Sequence, residues 1–211
     1  MNGIHNLEKI GGSMSNFQTL IKERRSVYTL GAHVKLTQDE ITKILQSCLK
    51  NAPSAFNSQS TRMIVLYDKS YHAFWHMVEQ TLRKIVPDDK FEATKQRIAS
   101  FDAGVGTVLF FEDENVIQSL KERMPIYEDR FTIWAEHANA MVQYMVWDAL
   151  AEQNIGASLQ HYNPLIDEGV YQMFDVPKTW RLVAQMPFGS KEKVPNPKTF
   201  EPIENRFKVF V

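Results

Sequence analysis

A chain of 211 residues is one large domain or two small ones, and an apolar fraction of 44% with 23% charged residues is enough for a substantial core. Its 24 basic and 25 acidic residues give a formal net charge of -1, which excludes recruitment of a polyanion by bulk charge, and its single cysteine, Cys48, excludes an intrachain disulfide or a Cys-rich metal site. No apolar run approaches the roughly 20 residues that span a bilayer, and Met1–Ser13 lacks the apolar core of a signal peptide, so the expected compartment is the cytoplasm.

Met1–Ser13 ends in Gly-Gly-Ser before a second methionine, Met14, and reads as a flexible leader or cloning remnant outside the fold. A helix is expected from Ser15, with Phe17, Leu20 and Ile21 on one face, and Val27–Leu36 reads as irregular. Thr37 and Glu40 then form a capping-box pair. Ile41, Ile44, Leu45, Cys48 and Leu49 follow at helical spacing, which puts Cys48 on the buried face, and Pro53 closes the helix. Met63–Tyr67 reads as a buried strand, Tyr71–Val86 and Phe91–Phe101 as helices, and Val105–Phe111 as a second apolar strand. Asn115–Arg130 is mixed, and Asp113–Arg130 is the candidate for a mobile segment shaping an acceptor pocket. From Phe131 runs the longest helical pattern of the chain, apolar nearly all round, as in a helix buried in a core or a subunit interface; it is expected to end at Gly156. Ala157–Gln160 reads as a short strand, Asp167–Phe174 as a short helix, and Arg181–Met186 as a strand. The alternating Phe207–Val211 reads as a terminal arm strand that pairs with a distant sheet edge. Helices and strands alternate with no linker and no repeat, so residues 14–211 read as one α/β domain whose small, mostly buried sheet is wrapped by helices.

Familiar catalytic signatures are missing. Gly104-Val105-Gly106 lacks the third glycine of a dinucleotide fingerprint and reads as a strand entry. His72 and His76 share a helix face without the glutamate of a zinc protease, and there is no nucleophile elbow. Four other clusters carry chemistry. Asn51–Arg62 gathers two amides (Asn57, Gln59), hydroxyls and Phe56 between a helix and a strand. Amides suit the edge of a heterocycle with alternating C=O and N–H groups, and the competing reading is a polar loop that caps backbone. Arg24-Arg25-Ser26 is either a phosphate clamp or a complement to a helix dipole. Lys191 and Lys193 offer similar charge or a solvated turn, and Gln160-His161-Tyr162-Asn163 ends a strand with polar groups that need partners. Charges for a phosphate, amides for a ring edge and a platform for a ring face fit flavin mononucleotide better than a metal or a nucleic acid.

Three of these segments carry a resemblance. Arg24-Arg25-Ser26, Ala52–Ser60 and Gly156–Tyr162, in that order, resemble the nitroreductase family, in particular the subgroup of the yeast fatty-acid-repression-mutant proteins and their bacterial relatives. The resemblance implies an α+β fold, a homodimer with the C-terminal arm exchanged, and FMN held at the dimer interface. It implies ping-pong electron transfer from NADH or NADPH to a small-molecule acceptor such as a nitroaromatic or quinone. Carried onto this chain, Arg24, Arg25 and Ser26 would hold the phosphate and ribityl end, with Lys191 or Lys193 assisting. Asn57 and Gln59 would address the ring or ribityl groups, partly from the neighbouring subunit, and the backbone of Leu159, Gln160 and His161 would face the reactive N5 side. No side chain is expected to be catalytic, because the flavin carries the electrons. The chain departs from better-known members at Gln160-His161, where they have Glu-Gly, and at Gly189–Lys193, where they are arginine-rich. A flavin-binding regulatory or stress-response protein is the alternative reading.

Overall fold

The sheet is built on β3 (Gly106–Asp113), whose side chains are buried on both faces along almost its whole length. Such a strand needs a continuous apolar run, and Val108-Leu109-Phe110-Phe111 supplies it. The computed structural model describes residues 16–211. The expectations for Met1–Ser13 and for the start of the first helix at Ser15 fall outside the described residues.

In chain order the elements are α1 (Asn16–Glu23), β1 (Leu30–Gly31), α2 (Gln38–Asn51), β2 (Thr61–Leu66), α3 (Asp68–Arg83), α4 (Asp88–Asp102) and β3. There follow α5 (Glu114–Arg123), α6 (Glu128–Glu152), β4 (Gly156–Ala157), α7 (Asp167–Phe174) and β5 (Trp180–Lys191). Strand order is β1-β5-β3-β2 with β4 also on β5, and every named pairing is antiparallel. The architecture is therefore α+β, as the resemblance implies.

β5 is the organising strand for the site. One edge pairs with β3 from Trp180 to Phe188, while the other takes Gln160, then β4 and then β1. Opposite Phe110 and Phe111 it carries one extra residue, Val183, a bulge. The helix α2 forms as the capping box requires, with Thr37 Oγ1 accepting from Glu40 N–H at 3.3 Å and Glu40 Oε2 accepting from Thr37 N–H at 2.8 Å. Cys48 is buried, as its helix face predicts.

Two layers of helix cover the sheet. One face carries a cluster rich in aromatics from α3 and α4, including Phe74, Trp75 and Phe101, joined by Val170 of α7. The other carries Ile41, Leu45, Val142 and Val146 from α2 and α6. Three boundaries differ from expectation. Asn115–Arg130, read as mixed, holds most of α5, a short 3-10 turn and the first residues of α6, with Ile117 and Leu120 buried. The helix α6 ends at Glu152, where Asn154 takes a left-handed φ of 59°, and Gly156 instead opens β4. Phe207–Val211 forms no strand in the single chain, since no sheet edge lies against it; Phe207, Val209 and Phe210 are exposed. Among the described residues no helix is long and apolar enough to cross a membrane.

Candidate functional site

Beyond α1 the chain runs extended past β4. Val27 N–H donates to Ala157 C=O at 2.9 Å, and Ser26 forms a parallel bridge with Ala157. This backbone seam puts Arg24-Arg25-Ser26 beside the Gly156–His161 segment, two clusters more than 130 residues apart in sequence. Arg24, Arg25 and Ser26, with Val27–Thr29, line a groove of about 450 Å³ whose other wall is the C-terminal tail from Lys193 to Lys198; the Gly156–His161 segment touches its Ser26 edge through Ala157 and does not line it. Arg24, Arg25, Lys193 and Lys198 bring four cations to this groove, and Ser26 adds a hydroxyl. Lys191 does not line it, and its side chain lies against Gly156, where an added Cβ would meet Lys191 Cγ at 3.0 Å. Lys198 had no sequence signal, because it sits among Pro and Asn with no periodicity to place it.

The two arginines are held differently. Arg24 stacks on the Trp147 ring, with Cζ 4.3 Å from the centroid, and on Tyr144 at 6.0 Å; its Nε faces Asp148 Oδ1 at 3.6 Å. Burial pushes the Asp148 carboxyl above the usual carboxylate range, while Tyr144 and Arg24 pull it back. An arginine so buttressed spends little side-chain entropy when it meets an anion. Arg25 instead reaches across the groove and donates Nη2–H to the Asn196 carbonyl at 2.5 Å. The sequence reading missed Trp147 and Asp148 as supports, taking Trp147 only as part of a buried helix circumference.

The amide loop lies elsewhere. Gln59 borders a second groove, of about 320 Å³, with Gln46, Lys50, Arg62, Ala138 and Val142. Neither Asn57 nor Gln59 lines the cationic groove. Three non-glycine residues of this loop have left-handed backbones: Phe56 (φ 54°), Asn57 (φ 53°) and Gln59 (φ 50°). Strain of this kind, about 1–3 kcal/mol per residue, persists only where the surroundings impose it. Here Ser54 Oγ accepts from Gln59 N–H at 3.0 Å and Arg62 Nη1 donates to Gln59 C=O at 2.6 Å. The Phe56 ring, 57% exposed, is aimed at Tyr127, Phe131 and Trp134.

Beneath the loop lies a buried polar network with no sequence signature. Glu112 is fully buried, and its Oε1 accepts from Thr61 Oγ1 at 2.7 Å and from Asn139 Nδ2 at 2.8 Å. Gln143 Nε2 in turn donates to Asn139 Oδ1 at 2.6 Å. Glu112 Oε2 and Ser60 Oγ have no hydrogen-bond partner among the described residues. Burial raises the Glu112 carboxyl above its ordinary range, against the pull of Ser60, Thr61 and Asn139.

Residues 21–190 match the model of the nitroreductase family. The chain belongs to the nitroreductase family. Within that family it is 31% identical to the nitroreductase FRM2 of Saccharomyces cerevisiae over 197 residues, covering 92% of this chain and 97% of that one. The nitroreductase CinD from Lactococcus lactis, solved with nicotinic acid, is 36% identical with a TM-score of 0.86, covering 92% of this chain and all (100%) of that one. The CinD complex with 4-nitrophenol scores 0.85 at 35% identity over the same shares, 92% and 100%. A nitroreductase with bound FMN from Desulfitobacterium hafniense shares the fold at 14% identity, with a TM-score of 0.69 over 94% of this chain and 100% of that one. The nitroreductase fold expected from the three segments is thus the observed one. Of the site residues singled out in sequence, the fold joins Arg24, Arg25, Ser26 and Lys193 on one groove, while Gln160 pairs with Gln185 farther along β5. In the single chain, Asn57 and Gln59 stay on a different groove.

Proposed function

We propose that this nitroreductase-family protein is an FMN-dependent oxidoreductase that draws electrons from NADH or NADPH and passes them to a nitroaromatic or quinone-type acceptor by a ping-pong mechanism. The observation that carries this is the cationic groove itself: four cations and a hydroxyl suit a phosphate monoester, and its Ser26 edge is bridged to Ala157 at the start of the Gly156–His161 segment. Arg24, Arg25 and Ser26 would hold the phosphate with Lys193, and Lys191 is the weaker candidate because it packs over Gly156. Bound FMN would supply the reversible hydride chemistry, while the chain binds and orients it.

The working unit in this reading is a homodimer. Ile133, Met141 and Tyr144 on α6, Phe17 and Ile21 on α1, and the tail's Phe207 and Phe210 are exposed large apolar side chains, more than a lone chain would leave in water. A second subunit would cover them, give the C-terminal arm an edge to pair with, and bring its own Asn57 and Gln59 to complete the site. CinD's complexes with 4-nitrophenol and nicotinic acid support small aromatic acceptors.

The test is the absorption spectrum of freshly purified protein, with the released chromophore identified by mass and the oligomer by light scattering. Stoichiometric FMN in a dimer, bleached by NADH or NADPH, is the expected result. FMN that stays oxidised with both donors would favour the regulatory flavoprotein. A protein that takes up no flavin from excess FMN would overturn the reading.

A further inference from the structure

The C-terminal tail meets Arg24–Thr29 as an interrupted ladder. β1 pairs Gly31 with Ser190 and Leu30 with Lys191, and Glu192 N–H donates to Thr29 C=O at 3.2 Å, in step with them. Continued along both chains, that antiparallel register sets Arg25 opposite Asn196. There the chains are joined again, but by a side chain, since Arg25 Nη2 donates to the Asn196 carbonyl at 2.5 Å. Between the two closures, residues 26–28 and 193–195 share no backbone hydrogen bond among the described residues. The reason is β4, which draws Ser26 and Val27 to its own side: Ala157 bridges the first and accepts from the N–H of the second. The ladder parts, and the groove of about 450 Å³ lies along the gap.

No acidic residue lines that gap. Arg24, Arg25, Lys193 and Lys198 do, and Asp148, outside the lining, faces Arg24 alone. Lys193 and Lys198 stand before and after the clasped carbonyl of Asn196. Pro195 and Pro197 fix φ on both sides of it, and a residue that precedes proline is confined to extended backbone. A tail this stiff can be placed by one bond, so the clasp at Asn196 also determines where Lys198 stands. Lys198 is exposed, and its Nζ, 5.3 Å from the Phe200 ring centroid, makes no ion pair among the described residues.

We propose that residues 192–198 form a strap across the phosphate of the flavin, clasped by Arg25 on the Asn196 carbonyl, and that Lys198 is a phosphate-binding residue which the strap delivers. Lys198 lies beyond Gly189–Lys193, the segment to which the family resemblance assigns phosphate binding. The proposal rests on the FMN reading above.

Titration of the full-length dimer, freed of flavin, with FMN and with riboflavin tests this, because riboflavin lacks only the phosphate. Lys198→Ala is expected to weaken FMN binding by about tenfold, as loss of a charge-assisted contact should, and to leave riboflavin within about twofold of wild type. Lys198→Arg keeps the charge and is expected to stay within about threefold for FMN. With the clasp removed in Arg25→Ala, adding Lys198→Ala is expected to cost less than about threefold more, because the two residues act through one strap. Unchanged FMN affinity in Lys198→Ala, or equal losses for FMN and riboflavin, overturns the phosphate role. A full tenfold cost of Lys198→Ala in the Arg25→Ala background overturns the clasp. Should riboflavin bind too weakly to titrate, raised salt takes its place: screening should close the gap between wild type and Lys198→Ala, and a gap that persists overturns the phosphate role. A wild type that binds no FMN overturns the reading beneath the proposal, which the wild-type titration alone reveals.

Discussion

The two faces of the sheet are built from different materials. Against α3, α4 and α7 lie Phe74, Trp75, Phe101 and Phe111, and the polar atoms among them are paired: Trp75 Nε1 donates to Thr107 Oγ1 at 2.9 Å, and Tyr71 OH donates to the Phe101 carbonyl. Against α2 and α6 the apolar side chains are mostly aliphatic. Glu112, Asn139, Gln143 and Asp148 are threaded between them, with Glu112 Oε2 and Asp148 Oδ1 lacking hydrogen-bond partners among the described residues. The outer surface of α6 is also exposed at Ile133, Met141 and Tyr144. The first face is a finished core, whereas the second leaves polar atoms and apolar surface unmet. A fold puts its stability on one side of a sheet and leaves the other side to be completed by what binds there.

Substitutions on each face sharpen or break that contrast. The largest effect is expected from Trp75→Ala. A fully buried indole lost from a packed core destabilises by about 3–5 kcal/mol, or roughly 10 °C in Tm for a domain of this size. FMN affinity of the remaining folded protein should be unchanged; a parallel loss of affinity in calorimetric titration would mean that the aromatic face also shapes the site. Next comes Arg24→Ala on the other face. It removes a guanidinium stacked on Trp147 and opposed to Asp148, with an expected stability loss of about 1–3 kcal/mol, and FMN should wash out during purification. Retention equal to wild type would remove Arg24 from the site.

The smallest effect is a pH dependence. The Glu112 carboxyl is raised above its unfolded value, chiefly by burial, with Glu136 adding to the rise. Its contribution is complete at acidic pH, below the ordinary carboxylate range, and is lost as pH climbs from there through the raised folded value. Glu112→Gln removes the titration. Wild-type Tm, followed against the variant's by calorimetry, should therefore fall relative to it as pH rises through that window. Parallel curves would show that Glu112 does not titrate in the folded protein above its unfolded range.

How much of this was legible in the sequence depended on range. The capping box announced α2, unbroken apolar runs announced β2 and β3, and Asp167–Phe174 was read with the bounds it has. The helix α5 was not legible, because only Ile117 and Leu120 are buried in an otherwise polar ten-residue segment. Nor was the full length of β5, which continues through Pro187 and Gly189 where a sequence reading stops. Residue types marked Arg24–Ser26 and Gln160–Asn163 as chemical and the resemblance added Gly156–Tyr162, but the contact between the first and last of these depends on the Val27–Ala157 hydrogen bond, which no local pattern encodes. The buried Gln185, whose side chain bonds Tyr162 and Asn163, was hidden by its setting, since a glutamine inside Leu-Val-Ala-Gln-Met reads as one polar interruption of a strand.

The bulge at Val183 decides the parity of everything downstream in β5. Leu182 and Ala184 are two apart in sequence, yet they face opposite layers, because the extra residue shifts the phase between them. Were Val183 paired in register with β3 instead of bulged out, Gln185 would be carried to the α6 side, away from Tyr162 and Asn163. The same pairing would also send Met186 and Phe188 into the aromatic layer. The strand could therefore lose Val183 and keep every face it has, whereas losing the bulge with that residue retained would reverse the whole C-terminal half of the strand at once.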